Sequence, residues 1–379
     1  KLFTETVGSD SNEVAESLYY LGDANCDKGD YKAAQGCLNN CLEIRKKNLG
    51  EDNQETLDCR TLLGIVASNL GNLDEALEYY QTVLRADQKA FGDNDPRTAT
   101  AYYNVGTVYA KRHLFEDATQ CYTKALEIRT RILGENHLAT ADIQYELGSM
   151  LIDAGKLDSA IQNLNAALQG YSATVGPSAS QTAKALNNLG AAYFQKHDYD
   201  HAIKAYQQAF TIKRKLFGDK SLNVARACAR LGDVYNEVGE LAKAAEFHRF
   251  AAQIQMNQSE PDNYEIARLL FNAGNEYSGS GDLKNAAIFY ETAIEVITHF
   301  YGNDDLVLID YRINLATVLH NMDQDEKALG QLKLALEEND NHKLCNQTTS
   351  YIYSGFGIIY TDEGDLDKGV FYLEKSVKI

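Results

Sequence analysis

The sequence has no run of about 18 apolar residues and no excess of basic residues, and each absence excludes a class of function. Without such an apolar run no helix can span a bilayer, so we expect no membrane insertion. Lysine and arginine number 36 against 54 aspartates and glutamates, which gives a net charge of −18. Nucleic acids and anionic membranes are bound by basic surfaces, so neither is expected as the main partner.

Motifs of catalysis and cofactor binding are also missing. The chain has no GxxxxGK[ST] phosphate loop, no HExxH and no paired CxxC. Its eight histidines are scattered, and although His197 and His201 are four residues apart, His197 falls in a predicted turn. We therefore predict that the protein is not an enzyme and holds no cofactor and no metal.

The cysteines do not form a disulfide framework. There are seven of them, an odd number, at spacings typical of no disulfide-rich class. Unpaired cysteines indicate a reducing compartment, so we predict a cytoplasmic location.

What the sequence does contain is one unit repeated at a constant interval of 42 residues. The clearest copy runs from Ala101 to Gly134 and has the pattern of two amphipathic helices joined by a tight turn. A glycine of its first helix recurs as Gly22, Gly64, Gly106, Gly148, Gly190, Gly232 and Gly274. An alanine of its second helix recurs as Ala34, Ala76, Ala118, Ala160, Ala202, Ala244, Ala286 and Ala328. A fixed period in this range is typical of stacked-repeat proteins.

The unit resembles a tetratricopeptide repeat, and its 42-residue length is most similar to the repeats of kinesin light chains. The resemblance rests on the signature Val105, Gly106, Tyr109, Ala118, Tyr122 and Ala125. It implies an all-α fold, a right-handed superhelical solenoid of about nine helix-turn-helix repeats. In this family the small residues lie where the two helices of a repeat cross closely.

The period predicts a single array over residues 1–379. Its expected units are 9–50, 51–92, 93–134, 135–176, 177–218, 219–260, 261–302, 303–344 and 345–379. Since both ends fall inside a unit, we expect the chain to be a piece of a longer protein. Its ends would then be capped by flanking repeats or by other subunits.

The resemblance also implies a binding groove, because the first helix of each repeat lines the concave face of such arrays and bound peptides lie there. The side chains two and six places before the recurring glycine should face this groove. In the middle of the chain, four of these side chains are cationic. Asparagine side chains lie between the cations and in the neighbouring repeats. The candidate residues for peptide binding are Asn104, Lys184, Asn187, Asn188, Arg226, Arg230, Arg268, Asn272, Asn275 and Asn314.

These residue types suit an acidic peptide. The arginine fork matches a carboxylate with two hydrogen bonds, and an asparagine can both donate to and accept from a peptide backbone. The first four repeats present carboxylates instead, so the groove is predicted to be acidic at its start and basic in its middle. The alternative is that the cations are ordinary solvated surface. Tyr103, Tyr145, Phe194 and Phe271 are either apolar anchors of the groove or part of the packing between helices.

A second set of cations lies at the ends of the second helices. They include Arg45, Arg129 and Lys213, and cations there complement the negative end of the helix dipole. We interpret them as solvated rather than as a binding stripe.

Three functions fit these patterns. The first is a non-enzymatic adaptor that binds a peptide or partner segment in the groove. The second is a structural scaffold of a large assembly, cytoskeletal or ciliary. The third is the sensor region of a larger signalling protein.

Overall fold

A computed structural model describes residues 10–342 and 347–379, and in these ranges every regular element is an α-helix. The predicted start of the first unit at residue 9 and the predicted boundary between residues 344 and 345 lie outside them. The helices are α1 (Asn12–Lys28), α2 (Tyr31–Leu49), α3 (Gln54–Asn69), α4 (Leu73–Phe91), α5 (Pro96–Lys111), α6 (Phe115–Leu133), α7 (Leu138–Asp153), α8 (Leu157–Thr174), α9 (Ser180–Gln195), α10 (Tyr199–Phe217), α11 (Leu222–Glu237), α12 (Leu241–Met256), α13 (Asn263–Gly279), α14 (Leu283–Tyr301), α15 (Val307–His320), α16 (Asp325–Asn341), α17 (Gln347–Asp362) and α18 (Leu366–Val377).

The chain divides into two compact units, Lys1–Ala192 and Tyr193–Ile379, and the boundary falls inside α9. In each unit the helices pack as consecutive antiparallel pairs, such as α1 with α2 and α11 with α12, and each pair also contacts the next. We call the first member of a pair helix A and the second helix B. The predicted all-α class is confirmed, whereas the single array and the hand of a superhelix stay predictions.

The turn between helix A and helix B follows the sequence closely. Gly29 ends α1 in the left-handed conformation, at a φ of 80°, and the Asp30 side chain accepts from the backbone N–H of Ala33 to cap α2. Histidine or aspartate stands at this turn position in three repeats, and these residues keep a positive φ: His113 at 57°, His197 at 61° and Asp323 at 57°.

The recurring glycine of helix A lies where a large side chain of helix B crosses it. A Cβ atom at Gly64 would overlap the ring of Tyr80, and one at Gly274 would overlap the ring of Tyr290. This confirms that a small residue is required at the crossing. The side chain opposite the glycine, here called the crossing residue, is part of a series spaced by 42 residues: Leu38, Tyr80, Tyr122, Leu164, Tyr206, His248, Tyr290 and Leu332. Histidine replaces leucine or tyrosine once in this series.

Within residues 10–342 and 347–379, no helix combines the length and the hydropathy that crossing a bilayer demands.

Candidate functional site

Three of the predicted cations form one surface of the second unit. Arg226 and Arg230 lie one turn apart on α11, where residues spaced by four share a face. Arg268 extends from α13, and all three side chains are exposed. Tyr311 of α15 lies near Arg268. Burial raises the pKa of the Tyr311 phenol to about 12, and the charge of Arg268 lowers that pKa by a smaller amount.

A fourth cation joins this surface from helix B of the preceding repeat. Lys213 of α10 is half-buried, not solvated as the sequence suggested. Burial lowers the pKa of Lys213, and the nearby charges of Arg226 and Arg230 lower it further. We refer to Lys213, Arg226, Arg230 and Arg268 as the cationic cluster.

The orientation of Lys213 has a signal in the sequence that the helix-dipole argument overlooked. The positions spaced from it by 42 residues are Arg45, Asp87, Arg129, Tyr171, Gln255, Ile297 and Asn339, and none is exposed. Arg45, predicted to be solvated, is buried and donates from Nη1 to the backbone oxygen of Glu55 at 2.7 Å. This row of helix B therefore points inward in every described repeat that contains it.

Two carboxylates lie against the cationic cluster. Glu265 accepts two hydrogen bonds of 2.8 Å from the guanidinium of Arg268, one turn away on α13. Asp233 lies one turn from Arg230, with 3.8 Å between Oδ2 and Nη1, which is too long for a hydrogen bond. Among the residues that the structure describes, Arg226 makes no ion pair.

The candidate asparagines of the second unit differ in the hydrogen bonds that they make within the protein. Asn275 accepts a hydrogen bond of 2.7 Å from the hydroxyl of Tyr290, and Asn314 donates to the backbone of Asp310 in its own helix at 2.9 Å. Asn272, half-buried and one turn from Arg268, makes no hydrogen bond to a side chain in the described ranges. Asn272 is therefore the amide best placed to bind a ligand beside the cationic cluster.

The remaining candidates lie in the first unit, so the structure does not join them to the cationic cluster. Lys184 is exposed, while Asn104 and Asn187 are half-buried. Asn188 donates to the hydroxyls of Tyr145 and Ser149, both at 3.2 Å, and these bonds tie α9 to α7.

The first unit has an acidic cavity, in agreement with the predicted charge of the early repeats. Its volume is about 290 Å³, and its lining includes Tyr103, Arg129, Asp142 and Glu146. Burial raises the pKa of the Glu146 carboxyl, and the charge of Asp142 raises it further. Tyr171 donates to Asp142 at 2.8 Å.

The aromatic candidates contribute to packing. The ring of Tyr103 lies 5.8 Å from that of Tyr122, and the ring of Phe271 stacks on Tyr311 at 4.2 Å. Phe271 is nevertheless only half-buried, and it follows Arg268 by three residues on α13.

An ionic group that sequence reasoning missed lies behind the cationic cluster. His248 of α12 is the crossing residue opposite Gly232, with a relative exposure of 1%. Its Nδ1 lies 2.8 Å from Oε1 of Glu276 on α13, and its Nε2 lies 3.2 Å from Oδ1 of Asp233 on α11. We call Asp233, His248 and Glu276 the histidine triad.

The carboxylates set the ionisation of His248. Burial alone would lower the pKa of this imidazole, but the hydrogen bonds and charges of Asp233 and Glu276 outweigh burial and raise the pKa to about 9. Burial also raises the pKa of the Glu276 carboxyl, while the bond to His248 lowers it.

Models of the tetratricopeptide repeat match residues 13–89, 60–130, 97–173, 181–254 and 226–298, and a related model of the same repeat matches residues 145–216. These matches cover most of the chain. The chain belongs to the tetratricopeptide-repeat family. No curated protein matches the sequence of this tetratricopeptide-repeat protein.

Two solved structures with TM-scores above 0.5 show the same fold at low identity. The apo form of RapI is 13% identical, with a TM-score of 0.64 over 96% of each chain. The apo form of the quorum sensor NprR from B. thuringiensis is 16% identical, with a TM-score of 0.58 over 86% of this chain and 88% of that one. Tetratricopeptide-like repeats of a putative kinesin light chain from Podosopora anserina are 17% identical, with a TM-score of 0.48 over 55% of this chain and 98% of that one.

Proposed function

We propose that this tetratricopeptide-repeat protein is a non-enzymatic adaptor whose second unit binds an acidic peptide segment on the cationic cluster. The observation that carries the proposal is the exposed pair Arg226 and Arg230, one turn apart in a chain with a net charge of −18, of which Arg226 makes no ion pair among the described residues. Like charges that share a site destabilise each other, and an anion is the ligand that relieves this repulsion.

The cluster supplies both attraction and geometry. Arg226 and Arg230 each offer a guanidinium fork to a carboxylate, and Asn272 can donate to or accept from the peptide backbone. Single exposed ion pairs contribute under about 1 kcal/mol, whereas micromolar binding needs about 8 kcal/mol. Backbone hydrogen bonds and apolar contact with the half-buried Phe271 would have to supply the rest.

The first experiment measures the affinity of a labelled poly-glutamate peptide by fluorescence anisotropy, with poly-glutamine as the reference. Replacing Arg226 and Arg230 by alanine should weaken poly-glutamate binding by about 5- to 30-fold, since two ion pairs are lost. The matched control replaces the exposed Lys284 and Lys333 by alanine, which changes the net charge equally in the same unit. Unchanged affinity of the arginine variant, or an equal loss in the control, would reject the site.

The proposed partner is therefore a protein or peptide and not nucleic acid. A cytoplasmic location belongs to the same proposal and is supported by the free thiols of all six cysteines in the described ranges. A sensor region of a larger signalling protein is the second candidate, because the structure of the quorum sensor NprR shares the fold.

A further inference from the structure

The histidine triad contains a charged imidazole. Both ring nitrogens of His248 lie within hydrogen-bond distance of a carboxylate oxygen, Nδ1 of Glu276 and Nε2 of Asp233. Ionised carboxylates only accept hydrogen bonds, so both ring nitrogens must donate. A ring with two N–H donors is an imidazolium, and it is enclosed here with one fully buried carboxylate and one partly exposed carboxylate.

Packing does not require these ionic residues. Leucine is the crossing residue at positions 38, 164 and 332, and tyrosine takes the place in other repeats. None of the positions spaced from Glu276 by 42 residues is charged, and they hold Ala24, Val66, Val108, Met150, Ala192, Val234, Val318 and Tyr360. Burying an ion pair is often no more stabilising than apolar packing of the same volume, so a role in the site is the better explanation.

Asp233 connects the buried ions to the binding surface. Its Oδ1 faces the imidazolium at 3.2 Å, while its Oδ2 lies 3.8 Å from Nη1 of Arg230. Its charge also acts on Arg268, where it raises the pKa of the guanidinium after the larger contribution of the Glu265 hydrogen bonds. A free Asp233 could thus pair with either arginine.

We propose that His248 and Glu276 determine the charge specificity of the site by holding Asp233 against the imidazolium, so that Asp233 forms no hydrogen bond with Arg230 or Arg268. The guanidinium of Arg230 then keeps its hydrogen-bond donors for the carboxylates of an acidic peptide, whereas Arg268 already donates to Glu265. This inference rests on the proposed function of the cationic cluster. His248 and Glu276 would then act as positioning residues in binding, although neither contacts the ligand.

The test replaces both residues by those of other repeats, as His248→Leu with Glu276→Val. The exchange removes one positive and one negative charge, so the net charge is unchanged. Asp233 loses its buried partner and should move from 3.8 Å to hydrogen-bond distance of Arg230, which should weaken poly-glutamate binding by up to about 3- to 5-fold, the value of one exposed ion pair. Unchanged affinity in the folded variant would overturn the inference.

A double-mutant cycle separates this effect from general damage. Asp233→Asn should change the affinity of the wild-type chain by less than about twofold, because its carboxylate makes no hydrogen bond to the arginines there. In the background that carries His248→Leu with Glu276→Val, the same Asp233→Asn exchange should restore the affinity lost, about 3- to 5-fold. An equal effect of Asp233→Asn in both backgrounds would show that the triad does not control Asp233.

Two further readouts distinguish the inference from the proposed function. If poly-glutamate binds no better than poly-glutamine, and Arg226→Ala with Arg230→Ala has no effect, the proposed function fails. The inference is then decided by a crystal structure of the His248→Leu, Glu276→Val chain. There the Asp233 carboxylate should hydrogen-bond to Arg230 or Arg268, and a carboxylate that stays turned towards position 248 overturns the inference.

Discussion

Gly64 shows how a single residue fixes the crossing of two helices. It lies opposite the ring of Tyr80, with no room for a methyl group between them. Gly36 is the opposite case, since it lies on the exposed face of α2 and has open space where a Cβ atom would be. The same substitution at the two glycines therefore distinguishes the effect of packing from the effect of helix propensity.

We expect Gly64→Ala to lower the free energy of unfolding by about 1–3 kcal/mol, because the added methyl group overpacks the crossing. Gly36→Ala should raise it by about 0.5–1 kcal/mol through better helix propensity. Urea unfolding followed by circular dichroism measures both. Equal effects of the two substitutions would mean that the crossing tolerates a larger residue.

Residue identity predicted the crossings but not the direction of every cation. A period of 42 with one glycine per unit was enough to place Gly64 and Gly106 between helices. The helix-dipole argument misplaced Lys213 because it considers the end of one helix alone, whereas the signal lies in the row of positions spaced by 42 residues. His248 and Glu276 were missed because each is polar at a position that other repeats fill with an apolar or tyrosine side chain.

At the scale of helices, the turn between α5 and α6 retains strain that most repeats avoid. His113 holds a left-handed backbone at a φ of 57°, where glycine stands in the majority of units. Side chains with a Cβ atom are disfavoured there by roughly 1–2 kcal/mol.

His113→Gly should therefore stabilise the protein by about 0.5–1 kcal/mol, less than the full strain because glycine also gains entropy in the unfolded chain. Arg112→Gly is the matched control, since Arg112 has a φ of −88° and gains nothing from glycine. Thermal unfolding of the two variants should shift in opposite directions. A loss of stability in His113→Gly would show that its ring contact with Phe115 outweighs the backbone strain.

The histidine triad links α11, α12 and α13 and makes their stability depend on pH. The pKa of His248 is about 9 in the folded state against 6.5 for an unperturbed imidazole, so the folded state binds an extra proton between these values. The stabilisation is complete below about pH 6.5 and is lost as pH rises through about 9. The raised pKa of Glu276 has the same sign, although it acts at lower pH.

Chemical unfolding at pH 6 and pH 10 tests this linkage. The wild-type chain should lose about 1–3 kcal/mol relative to the His248→Leu, Glu276→Val variant over that range. At pH 7 the variant should be as stable as the wild type or more stable, since apolar packing often replaces buried ions without loss. Parallel pH profiles of the two chains would contradict the linkage.

At the scale of the whole molecule, the cationic cluster belongs to a strongly acidic protein. A net charge of −18 repels an acidic peptide at long range, whereas the cluster attracts it at short range. Salt screens both interactions, and at about 0.15 M the screening length is about 8 Å. The encounter and the bound state should therefore respond to salt in different ways.

Stopped-flow binding of the poly-glutamate peptide should show this difference. Raising the salt from about 0.05 to about 0.3 M should leave the association rate constant unchanged or raise it, while the dissociation rate constant increases. Arg226→Ala with Arg230→Ala should reduce the salt dependence of dissociation. A steep fall of the association rate constant with salt would mean that attraction, not repulsion, dominates the approach.

The repeated crossing of helix A and helix B has a consequence for engineering. Asn275, Tyr290 and Val318 occupy, one repeat further along, the places of Asp233, His248 and Glu276. Replacing these three residues by aspartate, histidine and glutamate would place a second triad in the next repeat without changing the backbone. The proposed role of the triad implies that the charge selectivity of such a repeat protein can be changed by substituting buried side chains that contact no ligand.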